Sequence, residues 1–298
     1  MIEVLRAGAC DLVIDLGRPG WGAQGVPAGG AADPEALAAA NALVGNALDA
    51  AGLEFAIVGP RLRFPRGATV ALTGATARAT CAGGAVPGSQ TLVLGAGETL
   101  EIGPLVSGSR CWLAVAGGID VEPVLGSAST FLPGGFGGCE GRRLRAGDTL
   151  AVKDAEPDVR LRRAYAPPQT ACLRVIPGPQ LAYAEEAGIV AFFKSGYRVT
   201  ECDRRGIRLS GPTVGMRGSD GRSQGVLPGA VQVPPDAQPI ILGWDGPVTG
   251  GYPVIATVAS ADWAALAQLR AGDAVRFTTV DVEAARALPR SWQIEDIA

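Results

Sequence analysis

The sequence predicts a mainly β protein with a few helices, built as two β-rich domains that each carry a helix. Three observations carry this reading. Forty-three glycines and 22 prolines punctuate short apolar runs along 298 residues, the spacing of strands bounded by turn formers. Hydrophobic residues make up 47% and charged residues 18%, enough apolar material for real cores and too little charge for disorder. The stretch 154–170, DAEPDVRLRRAYAPPQT, gathers charge and proline between two apolar-patterned regions, as a domain boundary does. The expected division is 1–160 and 170–285, with 161–169 as linker.

In chain order, ATVALTGA (68–75), QTLVLGAGETLEIG (90–103), CWLAVAGG (111–118) and PIILGW (239–244) read as strands. DPEALAAANALVG (33–45) reads as a helix with Asp33 as N-cap and Pro34 at its first position. ADWAALAQLRAG (261–272) is a second helix starting at Asp262, and QLAYAEEAGIVAFFKS (180–195) a weaker third. One pattern occurs three times: LGAGETL (94–100), LRAGDTL (144–150) and LRAGDAV (269–275). Glycine there supplies a positive φ, the acid bonds back to the turn amides, and the next apolar residues begin a strand.

The net charge of −3 offers no field for nucleic acid or anionic membrane. Acids stand where a hydrophobic leader would be, and no run approaches the roughly 20 apolar residues that span a bilayer, so the cytoplasm is the expected location. The six cysteines (10, 81, 111, 139, 172, 202) show no CxxC pair and are expected as reduced, mostly buried thiols. There is no histidine. That excludes histidine triads and dyads, HExxH zinc sites and imidazole proton shuttles. No metal or tightly bound cofactor is expected.

Four segments are candidates for chemistry. GRPGWGAQGVPAGGAAD (17–33) places six glycines before a capped helix, where amides can approach a small ligand; a surface crossover is the equal alternative. STFLPGGFGGCEGRRLRAGD (129–148) suits a mobile binding loop carrying Glu140 and Arg142, although a surface ion pair is the more ordinary fate of those charges. CDRRGIRLSGP (202–212) brings Asp203 and Arg204 to the start of a strand, and Ser223 follows as a hydrogen-bond donor rather than a nucleophile. WDGPVTGGYPVIATV (244–258) sets Asp245, Thr249, Gly250, Gly251 and Tyr252 around a turn, with a plain hairpin as the alternative.

Taken together, the chain resembles the biotin-dependent carboxyltransferase family that includes allophanate hydrolase subunit 2 and 5-oxoprolinase C subunits. The resemblance rests on DLGRPGxxxxGVPxxGAxD (15–33), LTGA (72–75), VAGGID (115–120), GGFGGxEGRxLxxGD (134–148), DRxGxRLxGP (203–212), GxxQVPPxxQPI (229–240), TGGYPxIATV (249–258) and AQLxxGD (267–273), in collinear order. It implies two cyclophilin-like β-barrel subdomains. It implies ATP-dependent opening of 5-oxo-L-proline to L-glutamate, with ATP acting through an assembled complex. The implied partners are a subunit-1 (kinase-inhibitor-like) protein and a lactam-utilisation-type subunit, and the implied substrate is a small amide or lactam. Two alternatives are a non-catalytic antagonist of a kinase-inhibitor protein and the carboxyltransferase unit of a urea-carboxylase system, which alone would call for a biotin carrier. The implied site uses Asp33, Asp203 and Arg204 in catalysis. Gln24, Gly30, Glu140, Arg142, Ser223, Gln232, Asp245, Thr249, Gly250, Gly251 and Tyr252 would bind substrate. Members commonly carry Ser where this chain has Gly29, Met where it has Ala32, Gln where it has Pro247, Lys where it has Val254, and Glu where it has Gln224.

Overall fold

The structure, a computed structural model, describes residues 1–154, 161–165, 172–218, 222–288 and 292–296. The chain forms two compact units: Met1–Arg18 with Gly29–Pro167 and Ser291–Ala298, and Pro19–Ala28 with Pro168–Arg290. The expected linker 161–169 contains a strand at Arg162–Tyr165, and its remainder, 166–169, lies outside the described residues.

The first unit holds β1 (Ile2–Arg6), β2 (Asp11–Ile14), α1 (Pro34–Leu43), β3 (Gly52–Ala56), β4 (Arg61–Phe64), β5 (Ala68–Gly74), β6 (Ala77–Cys81) and β7 (Gly84–Ala85). It continues with β8 (Thr91–Leu94), β9 (Glu98–Leu105), β10 (Arg110–Val115), β11 (Ile119–Asp120), β12 (Thr149–Val152) and β13 (Arg162–Tyr165). Two sheets result, in the orders β11-β12-β1-β4-β9-β6-β7 and β2-β3-β10-β5-β8. Alternation decides which side faces in. In β4 the arginines 61 and 63 are exposed while Leu62 and Phe64 are buried. Val4, Leu62, Leu100 and Ile102 from the larger sheet share one core with Leu53, Phe55, Val70 and Leu113 from the smaller. β10 is buried at every residue, because α1 covers the other face of its sheet, with Ala40 and Leu43 packed against Ala71 and Ala114. That helix starts as the sequence predicts: Asp33 accepts the Ala36 amide at 3.1 Å and Pro34 occupies the first turn.

The second unit holds β14 (Cys172–Pro177), α2 (Glu186–Lys194), β15 (Tyr197–Cys202), β16 (Gly206–Ser210), β17 (Gln224–Gly225) and β18 (Ala230–Gln232). After these come β19 (Ile240–Leu242), β20 (Thr249–Gly250), β21 (Val254–Val258), α3 (Trp263–Ala267), β22 (Ala274–Thr279) and α4 (Val282–Ala287). Seven strands close into a barrel in the order β14-β21-β18-β19-β16-β15-β22. The closing pair, β14 with β22, is parallel. Phe192 of α2 stacks on Phe277 with ring centroids 4.4 Å apart, so an aromatic cluster fills the space that the short strands leave. A last strand, β23 (Gln293–Asp296), pairs antiparallel with β13 and belongs to the first unit.

The mainly β expectation, with barrel architecture, is what the chain adopts. All three repeated turns form as predicted. Glu98, Asp148 and Asp273 accept the amides of Gly95, Arg145 and Arg270 at 2.7, 2.7 and 2.8 Å, and Gly97, Gly147 and Gly272 take φ values of 82°, 93° and 94°. Two local expectations fail. The helix expected over 261–272 is a 3-10 turn followed by the five residues of α3, and Asp262 does not cap it. That carboxylate binds the backbone amide and guanidinium of Arg174 instead, a charge-assisted contact stronger than a cap. Of the six free thiols only Cys111 is buried; the other five are half-exposed.

Candidate functional site

In the first unit the motif charges turn inward. Asp15, from the opening motif, accepts the Ser127 hydroxyl at 2.6 Å, the Ala128 amide at 2.6 Å and the Gly17 amide at 2.7 Å. Arg18 is 1% exposed, donates to the carbonyls of Ser129 and Val124, and lies 5.1 Å from the Phe136 ring centre. Thus the glycine-rich start and the GGFGG loop are fastened together. Phe131 and Phe136 meet edge to face within that loop, so the stretch read as a candidate binding loop is closely folded on itself.

Gly30 shows why glycine is needed here. It has a φ of +84°, and a Cβ would stand 2.7 Å from the Leu16 carbonyl. Chain-on-chain packing, not ligand access, requires it. Gln24 sits in an exposed 3-10 turn, Gly22–Gln24, on the segment that belongs to the second unit.

Three residues on from Gly30, Asp33 is 2% exposed, and burial pushes its carboxyl up to about 6. Close by in the fold stands Glu54, a residue sequence reasoning missed. It is also buried, accepts the Ala32 amide at 2.9 Å and the Trp112 indole at 3.0 Å, and pairs with Arg110 at 3.7 Å. A lone acid inside the apolar strand GLEFA was the available signal, since a charge is buried only with partners.

Glu140 is exposed with a φ of +55° and pairs with Arg142 at 3.0 Å. Arg142 reaches on to Asp148 in two hydrogen bonds of 2.7 and 3.0 Å. That guanidinium holds the Asp148 carboxyl below its ordinary value, and these charges brace the turn at 144–150. A cleft of about 610 Å³ also opens in this unit, lined by Asp15, Asn46, Asp49, Gly117, Gly118 and Lys153 among others.

In the second unit, Asp203 is exposed and accepts the amides of Arg205 and Gly206 at 2.7 and 3.0 Å. It closes the turn between β15 and β16. Arg204, 7% exposed, points the other way and grips Asp245, 4% exposed, through two bonds of 2.7 and 3.0 Å. The pair is a structural clamp as it stands, because that bidentate face of the guanidinium is already taken.

The TGGYP hairpin is different. Gln232, 4% exposed, donates to the Tyr252 carbonyl at 3.2 Å and reaches the space that a Cβ on Gly250 would occupy, 2.7 Å from its Nε2. β20 pairs with β17, Gln224 opposite Gly250 and Gly225 opposite Thr249. Gln224 and Gln180 bond reciprocally, each amide donating to the other's oxygen at 2.9 and 3.1 Å. The Gln180 oxygen also accepts the Val254 amide at 2.9 Å. Ser223, Thr249 and Tyr252 are exposed at this rim, and Gly251 is half-buried. Gln180 was missed because its stretch read as helical. Among the described residues no three His, Cys, Asp or Glu side chains gather as metal ligands, and no helix is long and apolar enough to cross a membrane.

Known proteins share this arrangement of segments. The family described as "Carboxyltransferase domain, subdomain A and B" matches residues 24–279. The chain is similar to the C subunit of 5-oxoprolinase from Escherichia coli strain K12, 39% identical over 291 residues, covering 96% of this chain and 93% of that protein. Among solved structures, TTHA0988 is similar at a TM-score of 0.86 and 37% identity, over 93% of this chain and 55% of that one; this chain spans about half of its length. The urea amidolyase of K. lactis is similar at a TM-score of 0.87 and 31% identity, over 96% of this chain and 19% of that one.

Proposed function

The chain belongs to the carboxyltransferase-domain family, subdomains A and B, and on that premise we propose that it is the C subunit of a 5-oxoprolinase. In this reading the assembled enzyme opens 5-oxo-L-proline to L-glutamate at the expense of ATP. The observation that carries it is the near full-length match, on both sides, to a protein named as that subunit.

An unstrained amide resists hydrolysis through resonance, which is why ring opening is coupled to ATP. The sequence contains no GK[ST] phosphate loop, so the proposal gives nucleotide binding to the partners, a subunit-1-like protein and a lactam-utilisation-type subunit. This chain supplies positioned polar groups. The carboxyl of Asp33, pushed up to about 6 by burial, is a group whose proton can move near neutral pH. Arg204 and Asp203 act by shape, one clamping Asp245 and the other closing its turn, and so hold the TGGYP hairpin's surroundings in place.

The test is reconstitution. The three subunits together are expected to form glutamate from 5-oxoproline with ATP, and omission of this chain abolishes it. No glutamate from the complete set overturns the proposal. Retained binding to the subunit-1-like protein without turnover then favours a non-catalytic antagonist. A second reading, carboxyl transfer from a biotin carrier to urea, draws on the likeness in fold to K. lactis urea amidolyase. It predicts strict dependence on a biotinylated carrier.

A further inference from the structure

We propose that the Gln180 carboxamide is a receptor for the cis-amide edge of a lactam, and that Gln224 fills that place while no ligand is bound. The choice of a lactam rests on the 5-oxoprolinase reading, but the geometry lies within the second unit alone.

Two primary amides that donate to each other's oxygen at 2.9 and 3.1 Å form a closed ring with two N–H···O bonds. Such a ring needs N–H and C=O on the same side of the C–N bond. A primary carboxamide has that arrangement, and so has a lactam, whose ring enforces the cis form. An ordinary secondary amide is trans and cannot close the ring. The site therefore selects by the amide's geometry rather than by charge.

The two glutamines are not equivalent. Gln180 is held: its oxygen accepts the Val254 amide at 2.9 Å in addition to Gln224, which fixes the plane of its carboxamide against β21. The Gln224 side chain bonds to Gln180 alone among the described residues. It sits on a ladder of only two residues, β17, beside exposed Ser223. Exchange of Gln224 for a ligand replaces two hydrogen bonds by two of the same kind, so the cost of displacement is small. Gly250 pairs with Gln224 across the two-residue ladder, a side chain on Gly250 would strike the Gln232 amide, and Thr249 and Tyr252 of the same hairpin are exposed.

Ligand-observed NMR on the intact chain tests this with 2-pyrrolidinone, N-methyl-2-pyrrolidinone and N-methylacetamide. Pyrrolidinone is expected to bind, and the other two, lacking the N–H or the cis edge, to bind about tenfold or more weakly. Gln180→Met removes pyrrolidinone binding, whereas Gln224→Ala, which takes away the internal competitor, strengthens it. A structural pair would give no such opposite signs. Thermal melting checks that each variant folds, and Gln180→Glu, which keeps the acceptor for Val254 but loses the donor, serves if Gln180→Met does not. Equal binding of the three probes, unchanged binding in the Gln180 variants, or weakened binding in Gln224→Ala overturns the proposal. If pyrrolidinone binding follows these rules but the assembled complex makes no glutamate, the functional reading fails and the receptor stands. If glutamate forms with an unaltered KM in the Gln180→Glu complex, the receptor fails and the functional reading stands.

Discussion

The two units treat their motif residues in opposite ways. In the first, Asp15, Arg18 and Arg142 are taken up by contacts within and between loops, and the strand residue Glu54 is taken up in the same way by Ala32 and Trp112. In the second, one clamp of the same kind, Arg204–Asp245, is followed in the chain by a hairpin whose Thr249 and Tyr252 are exposed. Glycine is abundant in both, yet Gly30 makes room for backbone while Gly250 makes room for a buried amide. A glycine-rich motif thus marks a close approach and does not say of what.

The clamps test this contrast most severely. Glu54→Ala and Asp245→Ala each leave a buried arginine without its carboxylate, and each is expected to cost about 3–5 kcal/mol in urea unfolding. A loss below about 1 kcal/mol at either site would show that the pair is not held as described. The next effect is pH-dependent. The Asp33 carboxyl is raised in the folded state, so folding favours its protonated form. The stability this gives is fully present below the unfolded value near 3.8 and is lost as pH rises through about 6. Melting curves should show Asp33→Asn gaining on the parent chain between pH 4 and pH 7, by on the order of 3 kcal/mol, while a parallel pair of curves would refute the shift.

Glycine substitutions divide the units further. Gly30→Ala forces a side chain into left-handed backbone against Leu16 and should cost about 1–3 kcal/mol. Gly225→Ala meets nothing within 4 Å and should stay within about 0.5 kcal/mol of the parent. Glu140→Ala is expected to be the mildest change. Its pair with Arg142 is exposed on the glutamate side, and Arg142 keeps Asp148, so melting should shift by no more than about 0.5 kcal/mol.

The turns at 94–100, 144–150 and 269–275 are legible in the sequence because each is local: a glycine, an acid and a strand within seven residues. The start of α1 is legible for the same reason, with Asp33 and Pro34 adjacent. Asp262 is not, because the choice between capping a helix and binding Arg174, 88 residues away, depends on tertiary contact. Glu54 and Gln180 escape notice for that reason too. Their partners, Ala32 with Trp112 and Gln224 with Val254, come from distant stretches that no local pattern joins.

The parallel pairing of β14 with β22 has a kinetic meaning. Cys172 stands opposite Arg276, so the barrel's seam joins strands far apart in the chain. During synthesis β14 emerges long before either neighbour, β21 or β22, exists and must wait with both edges unsatisfied. Closure of so long a loop is slow, as for other folds dominated by distant contacts. The interval before Thr279 leaves the ribosome is therefore when this unit is most exposed to strand pairing with other chains, and a chaperone's help would be most useful then.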